Sequence, residues 1–266
     1  MLLTKIIVTV LVILLLAAVA EYGSPRLAGT LSGYPIGSAV VLYFYGLERG
    51  VEFAAAAAIY NLTGMIPTLA FASGYLHALR RTPLCTPVVP TIMACCCYLT
   101  SSLLLGVFDY SRFAATGLAA VAIIGAGVFA RSTGATASPG RLSFSPWLLL
   151  VRGVAAAALV VLITSLAGRL GAQWAGMLSA FPLVLYPLIL MLHLNSGAAR
   201  VRALLSCFPH GLWSVLAYSL TLSYCYPVLG LGLGTLAGFA VATIGLLLLH
   251  YREILGLRRN VQLPLP

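Results

Sequence analysis

Acidic side chains are scarce in this chain, five among 266 residues, and charged residues of either sign reach only 8%. Ordinary globular domains carry roughly a quarter charged residues, so a soluble domain is excluded. The few acids sit mostly at the ends of apolar runs, which argues against a carboxylate-held metal centre. Catalytic signatures are missing as well: there is no HExxH, no GxSxG, no aspartate pair and no GxxxxGK[ST] loop. No enzyme activity is expected, and ATP-driven work would need another subunit. The six cysteines form no metal pattern. Cys95, Cys96 and Cys97 are consecutive in an apolar run, where successive helical side chains point apart, and Cys85, Cys207 and Cys225 are scattered. No cofactor is expected.

What the chain has is apolar length: 61% hydrophobic residues and a mean hydropathy of +1.05. Runs of about 20 apolar residues read as transmembrane helices. Nine candidates appear, at 2–20, 27–46, 51–76, 85–107, 113–130, 147–167, 171–194, 201–224 and 228–250. The connections are short, so the expected fold class is all-α, a polytopic membrane bundle of about nine helices. The net charge of +10 does not indicate nucleic acid, because the cations fall on alternate loops. Arg26, Arg80, Arg81, Arg131, Arg141, Arg200, Arg202, Arg252, Arg258 and Arg259 belong to one side, and Lys5, Arg49, Arg112 and Arg169 to the other. The positive-inside rule then places the N-terminus outside and the C-terminus in the cytoplasm. The start also resembles a secretory signal, with Ala18-Val19-Ala20 as a cleavage site. Cleavage would turn the arginine-rich loops outward, so a retained first helix is expected.

The chain also contains a repeat. Residues 27–50 align without a gap with residues 174–197, with seven identities in 24 positions. Leu27 to Pro35 matches Trp174 to Pro182, and the register continues through Gly64/Gly211 and Leu69-Ala70-Phe71 against Leu216-Ala217-Tyr218. An odd number of spans separates equivalent points, so the copies should cross the bilayer in opposite directions. Inverted repeats recur in secondary transporters, with the binding site where the halves meet. The expected architecture is four plus one plus four helices. A first repeat covers 1–107, a connector helix and cytoplasmic loop cover 108–145, and a second repeat with its tail covers 146–266.

Candidate site residues follow from this symmetry. Pro35 and Pro182 each interrupt the second helix of a repeat, and Ser32 and Ser179 lie three residues earlier, suited to local hydrogen bonding. Proline removes a backbone donor, and the freed carbonyls must find partners inside protein. A packing kink is one reading; a substrate cradle at mid-depth is the other. Tyr34, Asn61 and Tyr186 add polar groups to an expected cavity. Lys5 and Arg152 occupy equivalent positions near opposite faces, where they either snorkel to headgroups or attract an anionic substrate. Glu48, in Glu48-Arg49-Gly50, is either half of a solvated pair or a titrating group, and the second repeat has Asn195-Ser196-Gly197 instead. His210 is the most central ionisable residue and is suited to proton coupling, with a hydrogen-bonded neutral ring as the alternative. Gly29 with Gly33, and Gly176 with Ala180, give the small-residue spacing of close helix packing.

Lys5, Ala28-Gly29, Tyr34-Pro35 and Glu48-Arg49-Gly50 occur in the order found in GlpM-type membrane proteins, four-helix bacterial proteins of about half this length. The second half keeps Arg152, Ala175-Gly176 and Phe181-Pro182. The chain resembles a tandem-duplicated form of that family and, more loosely, the drug/metabolite transporter superfamily. The resemblance implies a bacterial inner-membrane protein that moves a small molecule or lipid-linked intermediate, connected with envelope polysaccharide. A scaffold for a polysaccharide- or lipid-modifying complex is the competing expectation. The partners implied are the bilayer and such a substrate. A monomer suffices because both halves are present, and a homodimer is compatible.

Overall fold

A computed structural model describes residues 33–81, 86–132 and 146–261, with residues 3, 4, 6–8, 10 and 11 of a further helix; side chains are described for 33–81, 86–130, 153–166 and 169–248 among these. Regular structure among the described residues is helical, with no strand. We number the helices α1 (Ile36–Arg49), α2 (Val51–Arg81), α3 (Val88–Leu105), α4 (Arg112–Ser132), α5 (Pro146–Ser179), α6 (Leu185–Ser196) and α7 (Ala198–Val261). Four described helices are long and apolar enough to cross a bilayer: Val51–Arg81, Val88–Leu105, Arg112–Ala130 and Ala198–Leu248. The chain is an all-helical bundle whose long apolar helices fit a membrane protein.

Helix lengths explain how the eight candidate spans from residue 27 onward correspond to seven continuous helices among the described residues. At 1.5 Å per residue, α7 would be roughly 96 Å long if straight, three times the hydrocarbon thickness. It folds back at Gly230, and α5 folds back at Gly171. The other two tight helix connections are at Gly50 and Gly197. All four glycines have positive φ, between 72° and 94°, and no other described residue does. A β-carbon opposes that conformation, so glycine marks each reversal. By contrast, α1 and α6 have 14 and 12 residues, about 20 Å each, too short to cross alone. Each begins at a short non-helical stretch containing a proline, 33–35 for α1 and 180–184 for α6, referred to below as the two interruptions; the second directly follows α5.

Contacts fix which ends lie together. Gly46, near the end of α1, packs on Leu231 just past the Gly230 reversal, and the Tyr45 hydroxyl donates to the carbonyl of Ala175 at 3.1 Å. At the opposite end the Tyr75 hydroxyl lies 2.8 Å from Nδ1 of His193, near the end of α6. So α1 leads toward the Gly50 end of the bundle, and α6 leads toward the Gly197 end. Among described side chains, the Gly50 end carries Glu48, Glu52 and Asp109 with Arg49, Arg112 and Arg169. The Gly197 end carries Arg80, Arg81, Arg200 and Arg202. This division of charge is the one that the loops imply.

The core has two clusters around α2, the most buried of the four long helices. One joins Leu62, Phe71 and Tyr75 to α3, α4, α6 and α7; the other joins Tyr45 and Ala54 to α5 and α7. The Ala54–Ala58 run allows close approach, and Ala57 meets Gly176 backbone to backbone. Outward faces of α3, α4 and the second arm of α7 expose Leu103, Val121, Leu236 and Leu247, as lipid-facing helices do.

Candidate functional site at the two helix interruptions

The two interruptions have the same local hydrogen bonds. Ile36 N–H donates to Tyr34 O at 2.8 Å, and Leu183 N–H donates to Phe181 O at 2.7 Å. Ala39 N–H donates to Pro35 O at 2.7 Å, and Tyr186 N–H to Pro182 O at 2.8 Å. Each residue of the second set lies 147 positions after its counterpart. Proline explains the shape: it supplies no donor to the preceding turn, so the chain closes a tight turn around it and restarts the helix.

The interruptions seat against one another's partners. A β-carbon on Gly33 would fall 2.7 Å from the Gly211 backbone, and one on Gly64 would fall 2.7 Å from Cβ of Ala180. Gly33 and Ala180 are equivalent positions, as are Gly64 and Gly211, so the second contact is the first with the halves exchanged. Aromatic packing follows the exchange only loosely, since Phe71 and Tyr218 are equivalent but only Phe71 meets its interruption directly. Phe181 meets Phe71 of α2 and Tyr98 of α3 at 5.7 and 5.1 Å between centroids. Tyr34 stacks on Phe239, which meets Tyr218, at 6.1 and 5.0 Å, both on α7.

Freed carbonyls are capped by hydroxyls from neighbouring helices. Ala180 O accepts from Thr68 Oγ1 at 2.6 Å, Ser179 O from Ser38 Oγ at 3.1 Å and Met177 O from the Tyr98 hydroxyl at 2.9 Å. On the other side, Ser214 Oγ lies 3.3 Å from Gly33 O, but its one hydrogen goes to Gly211 O in its own helix at 2.6 Å. Beside them lies a buried amide. Asn61 Nδ2 donates to Ser179 Oγ at 2.6 Å and Ser38 Oγ at 3.3 Å, while Oδ1 accepts from Ser219 Oγ at 2.7 Å. Asn61, Ser179 and Ser219 are 0% exposed. Hydrocarbon offers no alternative partner, so these bonds fix the junction of α1, α2, α5 and α7.

Between the interruptions runs a crevice lined by Tyr34, Ser38, Thr68, Pro182, Phe208 and Leu212, among others. Its volume is about 30 Å³, enough for one or two waters. The sequence leads one to expect a polar cavity at mid-depth; the structure has only a narrow crevice between the interruptions. The reason is that the polar groups bond one another and the aromatic rings fill the remainder.

The candidate residues separate accordingly. Tyr34 and Pro182 line the crevice, Asn61 and Ser179 form the amide network, and Pro35 shapes the first interruption. Tyr186 instead packs edge-on against Phe71 at 5.6 Å, outside the crevice. His210 is half-buried and does not line it, because Phe208, Leu212 and Val215 present one face of α7 and residue 210 is about 200° round from 208. Glu48 is exposed at the Gly50 end, far from mid-depth. Lys5, Ser32 and the Arg152 side chain lie outside the described residues. Sequence reasoning missed Ser38, Thr68, Ser214, Ser219 and the buried His193. Thr68 follows Pro67, a signal of a hydroxyl beside a helix irregularity, whereas the serines carry no such mark. Among the described residues no three of His, Cys, Asp or Glu converge. No protein family, curated protein or solved structure matches this chain.

Proposed function

We propose that the chain is a secondary transporter or flippase built from two inverted repeats, which moves a small molecule or lipid-linked intermediate by alternating access. The observation that carries this reading is the exchanged contact pair, Gly33 on Gly211 and Ala180 on Gly64. A twofold relation between halves produces such a pair, as in any isologous interface. The opposed directions of α1 and α6 support an axis in the membrane plane. Discontinuous helices that meet at mid-depth are where carriers of this architecture hold substrate.

On this reading the narrow crevice is one end point of the cycle. Opening separates the halves along the Gly33–Gly211 and Gly64–Ala180 contacts and releases the hydroxyls of Thr68 and Ser38 from the carbonyls they cap. The exposed carbonyls and hydroxyls then offer hydrogen bonds to a neutral or zwitterionic polar group. The protein belongs in a bacterial inner membrane with its arginine-rich Gly197 end in the cytoplasm, in line with the charge division. The GlpM-like pattern supports a substrate connected with the envelope.

A second reading has its own support: a crevice of about 30 Å³ with satisfied polar groups suits a rigid scaffold in an envelope-assembly complex. Cysteine labelling separates the two. In a cysteine-free background, Gly37→Cys places a thiol in the crevice wall, where a β-carbon meets only ordinary contacts of 3.4 Å or more. A carrier labels with a membrane-impermeant maleimide from either face over time. A thiol that stays unlabelled from both faces, in membranes and in detergent, supports the scaffold and ends the transport reading.

A further inference from the structure

A second cavity, away from the interruptions, lies on the flank of α2 toward the Gly197 end. Its volume is about 340 Å³, more than ten times that of the central crevice. Ala70, Ser73 and Gly74 of α2 form its floor, with Met93 of α3 and Phe129 of α4 as walls. Both α3 and α4 pack on α2 but hardly on each other, which leaves the groove between them open sideways. At its outer end is Arg80, whose guanidinium stands 5.9 Å above the Phe129 ring. His77 is beside it, and no described acidic side chain lies at this end.

We propose that this groove binds an anionic phospholipid, with one acyl chain along α2 and the headgroup phosphate on Arg80. Length argues for a chain. From Arg80 to Ala70 is ten residues of helix, roughly 15 Å, which is the hydrocarbon depth of one leaflet. Charge argues for the headgroup, since basic pockets between helices at a bundle end select anionic lipids. The aromatic face beneath Arg80 holds the guanidinium at the rim, aimed along the groove rather than free to sweep the surface. A zwitterionic lipid fills the same groove without the net attraction, so selectivity belongs to Arg80.

The test is lipid binding to the full-length protein in lipid-free detergent, followed by native mass spectrometry. Dioleoyl phosphatidylglycerol, dioleoyl phosphatidylcholine and inorganic phosphate are titrated separately. The phosphatidylglycerol should bind more tightly than the phosphatidylcholine, and Arg80→Ala should weaken it about five- to tenfold, as expected for one cationic contact. Arg81→Ala, the neighbouring exposed arginine that does not line the groove, should change it less than twofold. Ser73→Trp fills the groove from an exposed position and should abolish preferential binding. Equal effects of Arg80→Ala and Arg81→Ala would mean diffuse surface charge and overturn the proposal. So would full binding to Ser73→Trp, or phosphate competing at the same concentration as the lipid.

Discussion

Removing one hydroxyl should tell how firmly the interruptions are held. Thr68→Val keeps the side-chain shape and deletes the donor to Ala180 O. Thr68 is 2% exposed, so no water replaces it. The hydroxyl carries one hydrogen, and of its two acceptors Ala180 O at 2.6 Å outcompetes Gly64 O at 3.0 Å, which also receives its helical bond. The packing change is therefore near zero, and the cost is that of an orphaned buried carbonyl. Such groups cost about 1 to 3 kcal/mol in water-soluble proteins. Within membranes, hydrogen-bond deletions run lower, up to about 1.7 kcal/mol. An expected loss of about 1 to 2 kcal/mol follows, measured by steric trapping in bicelles. Thr221→Val is the control, because its hydroxyl bonds Ala217 O within its own helix at 2.8 Å. That change should stay within about 0.5 kcal/mol. If the two variants are indistinguishable, the cap contributes nothing and the argument for a held interruption is wrong. If the cap belongs only to the closed state, Thr68→Val should also speed labelling of Gly37→Cys about 5- to 30-fold, the factor that 1 to 2 kcal/mol represents. Lost stability without faster labelling would make the cap structural and count against the carrier.

Other substitutions test neighbouring claims. Gly33→Ala and Gly64→Ala each drive a methyl into backbone or Cβ atoms at 2.7 Å and should destabilise by about 1 to 3 kcal/mol, seen as a lower thermal midpoint. Gly125→Ala meets nothing within 4 Å and should be neutral or stabilise by up to about 1 kcal/mol. Asn61→Ala removes the centre of a network joining four helices and should lower stability by about 2 kcal/mol in the bicelle assay, while Asn61→Asp, which buries a charge, should be worse. Tyr75→Phe deletes the bond to His193 and should cost about 0.5 to 1.5 kcal/mol, with a shifted His193 ring resonance as the local readout.

The helices were legible in the sequence because lipid-facing segments are uniformly apolar, and composition alone marks them. Their subdivision was legible only where proline or glycine punctuated a run: Pro35, Pro182, Gly50 and Gly197 fall at observed breaks. Gly171 was placed at the start of a span and does start one, but Gly230 was read as ordinary helix two residues into the ninth candidate. A glycine in an apolar run is equally a packing residue or a reversal, and only the 64-residue length of α7 decides it. For the site, symmetry found Asn61, Ser179 and the prolines. His210 lies on another face of α7 than the crevice, since a residue's face on a helix depends on crossing angles that a one-dimensional register does not contain. The narrowness of the crevice was illegible for the same reason. Aromatic residues near a proline can frame a void or fill it, and here Phe181 lies over Phe71 and Tyr98 and fills it.

The halves exchange backbone contacts far more faithfully than they exchange chemistry, and this bears on mechanism. Asn61 has Phe208 as its equivalent, and Thr68 has Val215, so the amide and the capping threonine belong to α2 alone, while α7 contributes the hydroxyls of Ser214 and Ser219 at other positions. Ala180 O is capped by Thr68 at 2.6 Å, whereas Ser214, 3.3 Å from Gly33 O, gives its hydrogen to Gly211 O at 2.6 Å. A carrier with two identical halves passes through two mirror-image states of equal energy. Here the Thr68 cap and the four-helix amide network both hold the second interruption, so the two openings differ in energy. Opening at the first interruption breaks no comparable cap; opening at the second breaks the Thr68, Ser38 and Asn61 contacts together. On the proposed cycle, the Gly33–Gly211 contact therefore yields first. Gly33→Ala, which crowds that contact, should speed labelling of Gly37→Cys more than Gly64→Ala does, and the opposite order would show that the amide network does not set the path.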